Sequence, residues 1–487
     1  MRGILKEKIA VNKWLLLTLG VFTLFFVPMI IMCFYSVPTA DDLFHAGLFR
    51  NTFPENGTLT DYFKTVFKLG NRVYETTQGQ YTINYMIYLN PAMYNYKLYF
   101  VACLLNFFLL FASNACLANV FSKYILKTGR KITLWIFMLL CFLSMQFAPP
   151  TEIFYWYAGF IAYTIPYTFF VFAVALGIRI YKNKSKRLPL IVLSAFLGVI
   201  IGGTHYPLVL FILCLMATLI LLGIIYKKKQ AVFGIPFFVT SAGGFFISVI
   251  APGNALRDQL LDADYVHPVK TVYASMDTAF KTHVDNLMRT PVLLLFLLLV
   301  PILVPAIVKM DFDFKRPAFV TLFGIGLSAS VLAPYYYSAG IYDVPSRMTA
   351  LLFFIVLLVL LFLLFYWLGW FVKKFNISKI EKDKLLSPIN MAICAAALVL
   401  LTAQTNHNSL SDMNSLLAGR DLIYGEARFF HAEVVDMFEM IKNSDSDTVI
   451  IPRKMRTTLM LHELVVEEGS WQKDSLSYYF GKKLVFE

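Results

Sequence analysis

The chain has 487 residues, of which 58% are hydrophobic and only 15% charged. That balance excludes an ordinary soluble protein of this length, which would carry far more charge on its surface. The formal net charge of +13 raises the question of a nucleic-acid partner, but Lys and Arg fall in short segments between apolar runs, a pattern of membrane topology rather than of a phosphate-binding face.

Apolar runs recur at roughly 14–34, 97–121, 132–149, 159–180, 189–203, 207–226, 232–251, 291–308, 317–334, 347–372 and 388–404. Most are long enough to cross a hydrocarbon core of about 30 Å as helices. The expectation is an all-α polytopic membrane protein with about eleven transmembrane helices over residues 1–404. A small mixed extracytoplasmic region would follow over residues 405–487. The first run follows a basic start (Arg2, Lys6, Lys8, Lys13) and ends in Cys-Phe-Tyr-Ser-Val-Pro, a poor cleavage site, so it reads as a retained helix. The run 189–203 is short and rich in glycine (Gly198, Gly202, Gly203); a re-entrant segment there would invert everything downstream.

Charge sets the expected orientation. Basic clusters at Lys123/Lys127/Arg130/Lys131, Lys182/Lys184/Lys186/Arg187, Lys227/Lys228/Lys229, Lys309/Lys315/Arg316 and Lys373/Lys374/Lys379/Lys382/Lys384 alternate with connections at 150–158, 204–206 and 335–346 that hold no Lys or Arg. The positive-inside rule then puts the N-terminus in the cytoplasm and the C-terminus outside. Three outside segments, 35–96, 252–290 and 405–487, are too long to be mere connections. Within them 60–73 and 269–288 have helical spacing suited to lying at the membrane interface. In the tail, 422–441 reads as a helix and 448–452 (TVIIP) as a strand. The six cysteines (Cys33, Cys103, Cys116, Cys141, Cys214, Cys394) lie in or beside apolar runs, which speaks against a disulfide framework. No CxxC or His/Cys cluster suggests a structural metal.

Candidate chemistry gathers in the expected outside segments. Asp41 and Asp42 form an adjacent acid pair just beyond the first helix. They fit either a solvated N-cap of a following helix, DDLFHAGLF, or a base with a partner that binds a metal or orients the site. Arg72, Gln78, Gln80 and Tyr81 suit a hydroxyl-rich or phosphate ligand, or an ordinary polar loop. Glu152, Trp156 and Tyr157 sit in TEIFYWYAG, either as an interfacial aromatic belt or as rings stacking on a sugar beside an acid that accepts its hydroxyls. His205 would meet a phosphate if protonated; the bland reading is a capped helix end. Asn254 and Arg257 follow a Pro-Gly turn, Tyr336 stands in a run of three tyrosines, and Arg347 starts an apolar helix on the side where the charge rule disfavours it. Such an arginine calls for a phosphate or carboxylate partner.

Taken together, PTADDLF, TQGQYT, FYWYAGFIAYTIP, GGTH, APGNALR and PSRM resemble a bacterial family of multi-pass proteins related to the GT-C superfamily of glycosyltransferases and to enzymes that glucosylate surface polysaccharides. The resemblance covers most of the chain up to about residue 404. It implies a polyprenyl-phosphate sugar as donor, a cell-surface glycan or glycopolymer as acceptor, membrane lipids as surroundings and no nucleic acid. It also implies an acid of the first outer loop at the catalytic centre, a role that carries onto Asp41 as base with Asp42 as its partner. No cofactor is certain; a divalent metal ion stays open, because some GT-C enzymes require one. The chain departs from the pattern at Gln80, where an arginine is expected, and at Tyr206 and Pro207, where an acid or amide is expected. Competing classes are a transporter or flippase of lipid-linked saccharide and a polysaccharide polymerase or ligase. The first would want charged or broken helices near the midplane.

Overall fold

A computed structural model describes residues 2–183, 187–260, 268–339, 344–376, 412–451, 455–467 and 469–486. The fold is helical almost throughout, as long runs of Leu, Ile, Phe and Val demand when every backbone polar group must be satisfied within its own segment. In chain order the first helices are α1 (Arg2–Met32), α2 (Asp41–Thr52), α3 (Leu59–Thr76), α4 (Tyr81–Met86), α5 (Tyr99–Val120) and α6 (Arg130–Gln146). Then come α7 (Thr151–Phe154), α8 (Tyr157–Ala162), α9 (Thr164–Lys182), α10 (Arg187–Gly202), α11 (Tyr206–Ile225) and α12 (Ile235–Val249). α13 (Pro252–Leu260), α14 (Pro268–Met288), α15 (Thr290–Val308), α16 (Pro317–Ala329), α17 (Ala333–Ala339) and α18 (Ser346–Lys374) complete the body.

Among the described residues six segments are long and apolar enough to cross a membrane: Leu17–Tyr35, Tyr96–Leu126, Tyr157–Lys182, Tyr206–Ile225, Lys229–Val249 and Ser346–Lys374. Their outward side chains are apolar, among them Leu24, Phe108, Ile224 and Phe362, which suits a lipid surround. Shorter apolar helices at Arg187–Gly202, Leu295–Val308 and Pro317–Ala329 answer to three further runs, and α6 to the run 132–149. The expected run 388–404, with Cys394, lies outside the described residues. The glycine-rich run forms one continuous helix, α10. Its glycines serve close packing: a Cβ on Gly202 would stand 2.8 Å from the Gly244 Cα of α12, so the two backbones touch as small-residue helix interfaces do.

The long loop after α1 is folded. α3 starts with a reciprocal cap, in which Asp61 N–H donates to Thr58 Oγ1 at 3.3 Å and Thr58 N–H to Asp61 Oδ2 at 3.0 Å, a pairing that satisfies two otherwise orphaned donors. It buries Val66, Leu69 and Val73 and exposes Phe63 and Phe67. α14 likewise has two characters: Val272, Tyr273, Phe280 and Met288 face outward, while Thr271, Ser275, His283 and Asn286 are buried.

The tail contains α19 (Asn414–Ile423), α20 (Glu426–Asn443), β1 (Thr448–Ile451), α21 (Trp471–Phe480) and β2 (Lys483–Phe486). The segment expected as one helix over 422–441 is broken between α19 and α20. Gly425 there takes φ of +76°, a conformation that glycine adopts without a Cβ penalty. β1 is the expected strand and pairs in parallel with β2, Thr448 opposite Lys483. The tail packs firmly on the body. Asn414 Nδ2 donates to the carbonyls of Met145 and Ala148, both at 2.8 Å, and Ser415 N–H to Gln146 Oε1 at 2.9 Å. Lys97 pairs with Glu439 at 2.7 Å, and Tyr479 OH donates to Ala92 O at 3.0 Å.

Candidate functional site

The acid pair opens α2, but neither acid is its N-cap. Ala40 holds that position with φ of +51°, an uncommon backbone state for a residue with a Cβ. The turn sends Asp42 inward, where it is fully buried. Its Oδ2 accepts from Tyr99 OH at 2.5 Å and its Oδ1 from the Ala158 N–H at 3.0 Å. Tyr99 OH in turn accepts from the Tyr157 N–H at 2.7 Å. The solvated-turn reading of the pair therefore fails for Asp42, which ties α2 to α5 and to the start of α8. Burial pushes its pKa up to about 7; the hydrogen bonds from Tyr99 and Ala158 pull the other way.

Asp41 is partly buried and lines an open cleft of about 510 Å³ with Phe44, Trp471, Asp474, Ser475 and Tyr478. Burial raises its pKa, and the nearby Arg347 guanidinium opposes the rise. Arg347, at the start of α18, pairs with Glu152 Oε1 at 3.4 Å and hydrogen-bonds Tyr163. Its counter-ion is thus the acid of the aromatic stretch. The Tyr163 ring lies 4.6 Å from that of His205. His205 is held neutral: burial and the charges of Arg347 and Arg257 push its pKa down to about 3. Arg257 is exposed and stands within electrostatic reach of this group.

The tail completes the cluster with a residue that sequence reasoning passed over. His462 Nδ1 hydrogen-bonds Thr39 Oγ1 at 2.8 Å. Its ring stacks on Trp156, with centroids 4.5 Å apart and planes at 14°. Burial lowers the His462 pKa to about 4. Among the described residues three buried polar atoms here have no hydrogen-bond partner: Glu152 Oε2, Trp156 Nε1 and His205 Nδ1. Buried polar atoms are nearly always paired, so these three set the cluster apart.

Asp41, Asp42, Glu152, Trp156, His205, Arg257 and Arg347 thus belong to one neighbourhood. Tyr157 joins them through its N–H on Tyr99 OH, while Gln78, Gln80, Tyr81, Asn254, Arg72 and Tyr336 serve elsewhere. Trp156 is nearly buried with one face taken by His462, and Tyr157 is buried with its hydroxyl donating to Met86 O at 2.6 Å; neither offers an open stacking face, which corrects that expectation. Gln78 Nε2 donates to Asn84 Oδ1 at 3.2 Å, Gln80 is buried, and Tyr81 OH donates to the Val199 carbonyl. Asn254 is a staple: its Oδ1 accepts from the Gly79 N–H at 3.0 Å and its Nδ2 donates to Ser248 O at 2.8 Å. Arg72 is exposed and lies near Tyr88. Tyr336 is buried and shares a hydrogen bond of 2.9 Å with Thr278 Oγ1. Among the described residues no three His, Cys, Asp or Glu side chains group as a metal site.

No family model, no curated protein and no solved structure matches the chain.

Proposed function

We propose that the chain is a GT-C-like membrane glycosyltransferase that moves a sugar from a polyprenyl-phosphate donor to a cell-surface glycan or glycopolymer. The reaction would take place on the outer face of the cytoplasmic membrane. In this reading the charge pattern puts the N-terminus inside, and about eleven spans carry α2, α3, α14 and the tail to the outside.

The observation that carries the proposal is an accessible acid beside a cation: Asp41 lines an open cleft and stands within electrostatic range of Arg347. Transfer from a lipid phosphate needs both. The acceptor hydroxyl attacks the anomeric carbon and gives its proton to the Asp41 carboxylate. The bond from that carbon to the phosphate oxygen breaks, and the electron pair leaves with the phosphate. Arg347, with the exposed Arg257, offsets the charge gathering there. A carboxyl whose pKa is raised by burial is a stronger base than a solvated one. Asp42 keeps the turn that aims Asp41. Arg347 is paired with Glu152 at 3.4 Å, so a donor phosphate competes with that carboxylate for it.

Transfer from a polyprenyl-phosphate sugar, measured in proteoliposomes, tests the assignment. Asp41→Asn is expected to lower turnover by about a hundredfold or more, as loss of a general base does, with protein level and melting temperature unchanged. Turnover that survives this change removes Asp41 from the chemistry.

A further inference from the structure

The tail contributes more than a cover over the membrane domain. α21 packs against α2 at Gly47, where a Cβ would stand 2.9 Å from the Tyr478 ring and 3.0 Å from the Tyr479 Cα. Arg50 lies over the Tyr479 ring at 4.9 Å. This contact fixes α21 along α2 and opens the cleft between them. Its walls carry two kinds of group. Trp471, Phe44 and Tyr478 are aromatic and 52%, 44% and 39% exposed, and the Phe44 and Tyr478 rings stack at 5.8 Å and 28°. Asp41 and Asp474 are the two acids.

We infer that this cleft is a saccharide-binding site formed by α2 and α21, with Trp471 as the stacking platform and Asp474 beside Asp41 as hydroxyl acceptors. Its volume of about 510 Å³ falls in the range of small-ligand sites. The electron-rich face of an indole suits the C–H face of a sugar ring. Ionised carboxylates only accept hydrogen bonds, so the ligand must donate them, as hydroxyls do. Two like acids also repel an anionic ligand. The ligand class is therefore a neutral sugar or an amino sugar, not a uronic acid. Naming this ligand as the acceptor rests on the glycosyltransferase reading; the binding itself does not. Asp41 then stands between the acceptor cleft and the Arg347 cluster, where a base for the acceptor hydroxyl is needed.

The test uses the full chain in lipid nanodiscs and saturation-transfer NMR with three probes: methyl glucoside, N-acetylglucosamine and glucuronate. The two neutral sugars should bind saturably and more tightly than glucuronate. Trp471→Ala and Asp474→Asn should each weaken that binding by about tenfold or more, an easily resolved difference, while Trp471→Phe keeps a platform and retains most of it. Absence of saturable binding by the neutral sugars, preference for glucuronate, or equal binding by the wild type, Trp471→Ala and Asp474→Asn would each overturn the inference. An indole that merely anchors the tail at the lipid interface gives the last result. Sugar binding that depends on Trp471, with no transfer from the polyprenyl-phosphate donor, leaves the cleft standing and removes the transferase reading. Transfer that requires Asp41, with sugar binding indifferent to Trp471 and Asp474, does the reverse.

Discussion

Asp42 is a carboxyl with two donors and no solvent. A group whose folded pKa is raised above its usual value contributes stability at low pH and loses it as pH rises through the folded pKa. For Asp42 the loss runs from about pH 4 to about 7. The half-buried His205 and His462, and likewise His45, act in the opposite sense, since their pKa values are lowered to about 3, about 4 and about 4; their contribution grows as pH rises through the ordinary histidine value near 6.5 and is shared by the wild type and Asp42→Asn. Across about pH 4 to 7 the melting temperature of the wild type in detergent should therefore fall relative to that of Asp42→Asn. The same slope in the wild type and in Asp42→Asn over that window contradicts this account of Asp42. The amide variant should fold, because Tyr99 OH has a second acceptor in the Tyr155 carbonyl at 3.3 Å. Asp42→Ala strands the Ala158 N–H and costs about 1–3 kcal/mol. The adjacent acids were legible as a motif, but the burial of one was not. Its donors come from Tyr99 and Ala158, 57 and 116 positions away, and no local pattern announces them. His462 was hidden for the same reason: its partner Thr39 lies 423 positions away, and a lone histidine in a polar tail carries no spacing signal.

At the scale of elements, the seam between α2 and α21 is the one to perturb. Gly47→Ala places a methyl against the Tyr479 backbone, which cannot rotate away as a side-chain tip can. Overpacking of this kind costs about 1–3 kcal/mol. The melting temperature should drop and a protease should cut the tail sooner, with the apolar helices unaffected. Unchanged protease resistance would mean that α21 is not seated as described. Most elements were legible where their cause is local. The cap of α3 is written in Thr58 and Asp61, and the strand at Thr448–Ile451 in its β-branched residues. The break between α19 and α20 was missed because Gly425 sits among good helix formers, and only its left-handed backbone ends the helix. The glycines of α10 were visible as composition, but their use against Gly244 required the neighbouring helix.

Across the whole molecule, the apolar helices hold a polar end where the loop after α1, the aromatic stretch of α7 and α8, the start of α18 and the tail converge. The membrane character was plain in the sequence, because hydrophobic run length is a local property. The convergence was not, because it is assembled from segments hundreds of residues apart. The membrane domain and the tail are stitched by hydrogen bonds from Asn414 and Ser415, by the Lys97–Glu439 pair and by Tyr479. The tail therefore belongs to the site, both through His462 on Trp156 and through the cleft wall. The most direct test of the account is a structure of the chain with a polyprenyl phosphate bound. The account predicts the phosphate within hydrogen-bond distance of Arg347, displacing Glu152, with one of its terminal oxygens directed toward the cleft that Asp41 lines. A phosphate seated away from Arg347, with Asp41 facing no part of it, would contradict the account.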